Sequence, residues 1–203
     1  MFSWRNLINH FIEMRHYLIA STIIFVAGLV VGATNADFNA FITGQVDSLR
    51  EVANTIQSSD NPTLGFIVFI FLNNVIKSIL VMYIGAAFGL IPIFFLAVNG
   101  MVLGYVVNQA AGQGGDMLYT IIVKGLLPHG ILEIPAILIA CAYGIKFGAL
   151  MFQGIGNLFV KRDGWGASVE RFVVRTVPVS VLLVVTLLVA AVIESTITAW
   201  LLS

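Results

Sequence analysis

Residues 78–115 read SILVMYIGAAFGLIPIFFLAVNGMVLGYVVNQAAGQGG, and no Asp, Glu, Lys or Arg interrupts them from Ser78 to Gly115. Tyr17 to Ala36 is a second charge-free run. A hydrocarbon core is crossed by roughly 20 apolar residues, and both runs are long enough. The whole chain follows suit. It is 59% hydrophobic and 10% charged, where a soluble domain is about a quarter charged. An all-α, polytopic helical membrane bundle is the expected fold. The 203 residues suit one integral membrane domain, 1–203, rather than several. The formal net charge is zero, which gives no electrostatic case for nucleic acid.

Five segments are expected to span the bilayer: 17–35, 62–84, 88–108, 130–151 and 177–200. A further stretch, 117–128, is too short to cross. It is expected to be a re-entrant half helix, or one arm of a helix broken at Pro128. Residues 1–16 are expected to hold an amphipathic cytoplasmic helix, with Trp4, Leu7, Ile8, Phe11 and Met14 on one face. The first apolar run is not read as a cleaved signal, because Glu13 precedes it and no clean A-x-A site follows. The extracytoplasmic loop 36–61 carries a helical apolar face of Phe38, Phe41, Ile42, Val46, Leu49, Val52 and Ile56. A cytoplasmic loop is expected over 152–176. A surface helix within it would turn Trp165, Val169, Phe172 and Val173 to lipid.

Orientation follows from the excess of Lys and Arg on the cytoplasmic side. An inside N-terminus groups Arg5, Arg15, Lys161, Arg162, Arg171 and Arg175 inside. Outside, Arg50 then stands against Asp37, Asp47, Glu51, Asp60 and Asp116. Five spans place the C-terminus outside.

The polar residues inside the apolar segments are the candidate site. Ionisable groups at membrane depth are costly and usually functional or architectural. Leu127-Pro128-His129-Gly130-Ile131-Leu132-Glu133-Ile134-Pro135 sets His129 and Glu133 four apart, on one face if the helix is continuous. Asn73, Asn74 and Lys77 lie near the middle of the second span, and Asn99 near the centre of the third. Lys124 and Glu194 fall at a depth that would let them cluster with Glu133. These groups read either as interhelical glue or as the lining of a polar path. Metal is not expected, because this region offers two ligands and a site needs at least three. Four G-x-x-x-G pairs occur, at Gly28/Gly32, Gly85/Gly89, Gly100/Gly104 and Gly144/Gly148. Roughly two would arise by chance, and such pairs let helices approach closely. Asn99 could hydrogen-bond across such a contact. Cys141, the one cysteine, reads as core packing.

No G-x-S-x-G, P-loop, dinucleotide fingerprint, H-E-x-x-H or E-E-x-x-x-R is present. The chain is expected not to be an enzyme and to carry no cofactor.

Phe71-Leu72-Asn73-Asn74, Gly89-Leu90-Ile91-Pro92, Val98-Asn99-Gly100-Met101-Val102-Leu103-Gly104 and the segment from Leu127 to Ala136 together resemble the stage II sporulation protein M family. The motif positions are Asn73, Asn99, Gly100, Pro128, His129, Gly130 and Glu133. The resemblance implies a multi-pass protein of the bacterial cell membrane with about five spans. It implies a scaffold in engulfment, working with extracytoplasmic peptidoglycan-degrading partners that do the hydrolysis. Its other contacts would be membrane lipids and, through self-association, further copies of the chain. The alternative is a small permease or lipid-handling transporter, with its path at the broken helix near His129.

Overall fold

The computed structural model describes residues 4–35, 44, 50–159 and 164–202. Among them all regular structure is helical. In chain order the helices are α1 (Trp4–Glu13), α2 (Arg15–Thr34), α3 (50–57), α4 (Pro62–Ile84) and α5 (Leu90–Gly112), then α6 (Gly115–Tyr119), α7 (Leu127–Phe159), α8 (Trp165–Ile193) and α9 (Ala199–Leu202). A π-helical stretch, Thr120–Leu126, joins α6 to α7, and a second, Glu194–Thr198, joins α8 to α9. Five helical units are long and apolar enough to cross a membrane: α2, α4, α5, Gly115–Asn157 and Trp165–Leu202.

Local chemistry sets the boundaries. Asn61 caps α4 by accepting the Leu64 N–H at 3.2 Å, and Pro62 follows at the first turn, where its missing donor costs nothing. Phe88 and Gly89, at φ 61 and 73, form the left-handed turn from α4 into α5. Gly164, at φ 91, starts α8. The Trp165 indole then donates to the Leu150 carbonyl at 2.8 Å and pins the start of α8 to α7.

Much of the outer surface is apolar, as a bilayer demands. Ile19, Ile23, Leu64, Ile76, Phe94 and Val185 are all exposed. Inside, α7 is the central post. Ala140, Cys141, Ala142 and Tyr143 are fully buried among Met82 of α4, Leu96 of α5 and Val179, Leu183 and Leu187 of α8. Cys141 is thus a core residue.

Close helix contacts rest on the glycine pairs. A Cβ at Gly28 or Gly32 would strike the backbone of Ala97 or Met101, and one at Gly100 or Gly104 the backbone of Phe25 or Leu29. The pairs of α2 and α5 therefore face each other. Gly85 and Gly144 meet in the same way, as do Gly148 and Gly89. Seven of these eight glycines sit where a side chain would prise the helices apart, while a Cβ at Gly89 would meet Ile145 at ordinary distances.

Several expectations are corrected. The segment 117–128 is neither re-entrant nor separate: it runs into α7, so that residues 115–159 form one helical rod. The ladder changes register instead of breaking. Leu127 donates its N–H to Ile122, five residues back, just before Pro128. A proline collides with the carbonyl four residues behind it in an α-helix, and the wider π turn is a deformation that relieves this. The loop expected over 152–176 is mostly helix: α7 runs to Phe159 and α8 begins at Trp165. The expected lipid face there is wrong for Phe172, which is buried against Tyr143 and Phe147. On α1 the buried side is Leu7, His10, Phe11 and Met14, with Ile8 turned outward. The side chain of Trp4, and Phe38, Phe41, Ile42, Val46, Leu49, Lys161 and Arg162, lie outside the described residues.

Candidate functional site

His129 and Glu133 sit on one face of α7, because the helix is continuous there. Glu194 and Thr198 are also four apart, in the π stretch at the end of α8. The two helices run antiparallel. A step of four forward along one is therefore a step of four backward along the other. The register that puts His129 opposite Thr198 also puts Glu133 opposite Glu194. His129 Nδ1 lies 3.4 Å from Thr198 Oγ1. One ligand atom each from His129, Glu133 and Glu194 lies within 4.8 Å of the other two.

The third wall is α4. Asn74 Nδ2 donates to Glu133 Oε1 at 3.0 Å, and Asn73 Nδ2 donates to Asn74 Oδ1 at 3.1 Å. The chain of bonds Asn73–Asn74–Glu133 thus fixes one carboxylate from two residues of one helix. Lys77, one turn after Asn74 on α4, is exposed, and its charge acts on Glu133. The neighbour acting on Glu194 is Glu133 itself. Two ionised carboxylates this close at membrane depth need a balancing positive charge, from a cation or a shared proton.

Folding does not gather every sequence candidate here. Lys124 is half-buried in the π stretch before α7 and makes no ion pair among the described residues, so the expected Glu133/Lys124/Glu194 cluster loses its lysine. In place of Lys124, the third member is His129. Asn99 donates to the Phe95 carbonyl of its own helix at 2.8 Å. Among the described residues it does not bond across the α2–α5 contact, which the glycines make backbone to backbone. Gly100 belongs to that contact. Gly130 is buried, and a Cβ there would touch only the side chains of Leu126 and Ile134 at ordinary distances. Pro128 marks the π-to-α transition. The segment around Pro128 offers two ligand-type residues, His129 and Glu133, too few for a metal; the fold brings Glu194 to them as a third.

Two features escaped the sequence reading. Thr198 is buried at the site, and its only signal was the spacing of four from Glu194. At the α1 end His10 is buried edge-on against Tyr143, with ring centroids 5.3 Å apart. Among the described residues neither His10 ring nitrogen has a hydrogen-bond partner, and the Glu13 carboxylate lies 3.6 Å from Nδ1. Burial, then the charge of Lys146, hold the His10 pKa below the ordinary 6.5. Lys146 itself lies over the rings of Phe172 and Tyr17, at 5.6 and 6.0 Å.

An uncharacterized protein of Methanocaldococcus jannaschii is 27% identical over 150 residues, which cover 73% of this chain and 63% of that protein. The chain therefore spans less than two thirds of the relative's length. No solved structure matches. The family profile described as Stage II sporulation protein M matches residues 21–199, from the first spanning helix through Glu194 and Thr198. Because that match takes in three of the five apolar helices whole, most of the other two and the entire polar cluster, the chain belongs to the Stage II sporulation protein M family.

Proposed function

We propose that this protein is a multi-pass membrane platform without enzymatic activity, which docks extracytoplasmic peptidoglycan-degrading partners during engulfment. The distribution of Lys and Arg supports an inside N-terminus and an outside C-terminus in a bacterial cell membrane. One observation carries the docking role. A groove of about 770 Å³ lies between α3 and α4, lined by Val52, Thr55, Ile56, Leu64, Val68 and Leu72 among others. In the proposed orientation its lining runs from the outer end of α4 to Asn73, near the middle of that span. Thr55, Asn61 and Asn73 add polar atoms to an otherwise apolar lining, a mixture common at contact sites. The test is site-specific photocross-linking from Val52 and Leu64 in cells that express the host's cell-wall hydrolases. A cross-link to a hydrolase is expected from both positions and not from Ile23. Equal capture from Ile23, or none from any position, would reject the docking role.

The second reading is a small permease. It draws on His129, Glu133 and Glu194, since ionisable residues on facing helices at membrane depth are typical of ion and proton paths. Pyranine-loaded proteoliposomes separate the two. Proton entry that disappears in Glu133→Gln would favour transport.

A further inference from the structure

We propose that His129, Glu133 and Glu194 form a binding site for one divalent first-row transition metal ion of the Zn²⁺ class, clamping α7 to the end of α8. The three ligand atoms lie within 4.8 Å of one another. A metal about 2.0–2.2 Å from each nitrogen or oxygen needs its ligands roughly 3–3.5 Å apart. Small side-chain rotations from the observed positions close that gap.

Charge points the same way. Carboxylate oxygens of Glu133 and Glu194 lie within 4.8 Å of each other, and the charge of Lys77 acts on Glu133. A divalent cation neutralises both carboxylates at once, in a place where an unbalanced charge is costly.

The surroundings have the form of a ligand-orienting shell. A metal-bound histidine usually engages its other ring nitrogen with a hydrogen-bonding group, and ligating carboxylates are themselves hydrogen-bonded. Here Thr198 Oγ1 is 3.4 Å from His129 Nδ1, which leaves Nε2 as the ligand. Asn74 holds Glu133 at 3.0 Å. Both π-helical stretches converge on this point. Thr120–Leu126 ends shortly before His129, Glu194–Thr198 contains Glu194 and Thr198, and the two stretches touch. Single π turns within helices occur often at functional sites, where they re-aim side chains.

The donor set narrows the ion. An imidazole favours Zn²⁺, Fe²⁺ and their neighbours over Mg²⁺ and Ca²⁺, and the two carboxylates do not favour Cu⁺. Three protein ligands leave one coordination position open to water or another small ligand. This inference is independent of the docking groove, so either can fail without the other.

The experiment uses the full chain in detergent, stripped with a chelator and titrated with Zn²⁺ by calorimetry. Co²⁺ serves as a spectroscopic probe through its visible absorption. One equivalent per chain is expected, with a melting temperature that rises on Zn²⁺ addition. Glu194→Gln and His129→Gln should each weaken binding at least 100-fold and abolish the thermal shift. Asn74→Ala, which leaves all three ligands in place, should weaken it roughly 10–100-fold. If Glu194→Gln does not fold, Thr198→Val removes only the bond to His129 and should weaken Zn²⁺ by a similar 10–100-fold. No binding of Zn²⁺, Co²⁺ or Mn²⁺ by the wild type overturns the proposal. Unchanged stoichiometry and affinity in the variants, the mark of an adventitious surface ion only, overturns it equally.

Discussion

Asn74 of α4 donates a 3.0 Å hydrogen bond to the carboxylate of Glu133 on α7, across 59 residues of sequence. It is the direct polar tie from the second spanning helix to the central post. Interhelical hydrogen bonds in membranes contribute about 0.6 kcal/mol on average and about 1.7 at most. Asn74→Ala should destabilise the bundle within that range, as read by thermal unfolding in detergent. Glu133→Gln keeps an acceptor for Asn74 and should be milder than Glu133→Leu, which strands the amide. If the leucine variant is the more stable of the two, the tie has no structural weight.

The meeting of α2 and α5 gives a sharper expectation. A Cβ at Gly32 or Gly104 would enter the backbone of Met101 or Leu29, and backbone cannot rotate away. Gly32→Ala and Gly104→Ala should each cost about 1–3 kcal/mol by overpacking. Gly156 is the control, since nothing lies within 4 Å of a Cβ there. In that helical position Ala should stabilise by about 0.5–1 kcal/mol. Equal effects at all three positions would show that close approach is not what these glycines provide.

His10 makes stability depend on pH at the α1 end. Burial and Lys146 hold its pKa below 6.5 in the folded protein, so the unfolded chain binds the proton more readily. The stability is present above the unfolded value and is lost as the pH falls through 6.5 toward the folded value. Melting temperature should drop between about pH 7.5 and pH 5.5 in the wild type, and less steeply in His10→Gln. Matching slopes would place the titration elsewhere.

Trp165 anchors the start of α8 through its 2.8 Å bond to the Leu150 carbonyl, with its ring against Gly154. Trp165→Phe keeps most of the ring contact and removes the donor. A loss of about 0.5–1.5 kcal/mol is expected. Hydrogen exchange should show faster opening of residues 165–171 with little change in the centre of α8.

The proposed orientation is checked by cysteine accessibility after Cys141→Ala. Ser59→Cys, exposed beyond α3, should react with an impermeant thiol reagent added to intact cells. Gly166→Cys, exposed near the start of α8, should react only after lysis. The reverse pattern would invert the topology.

Apolar length was legible directly. A segment such as 78–115 has no alternative to burial in lipid or protein, so the sequence by itself determined the class, the number of spanning helices and the limits of the first two. It also determined which polar residues need partners, because each carries its desolvation cost wherever it lands. Tertiary structure alone decided the partners. Pro128 and Gly130 looked like a break, yet a π turn at Thr120–Leu126 absorbed them, since a continuous rod keeps its backbone bonded at membrane depth. Asn99 turned back to the Phe95 carbonyl of its own helix, while its neighbours Gly100 and Gly104 made the close contact with α2. Glu194 and Thr198 joined His129 and Glu133 from more than 60 residues away, through an antiparallel register that no local pattern encodes. Spacing along one helix is a property of its covalent chain. The rotation and register of two helices are settled only by the packing of all of them.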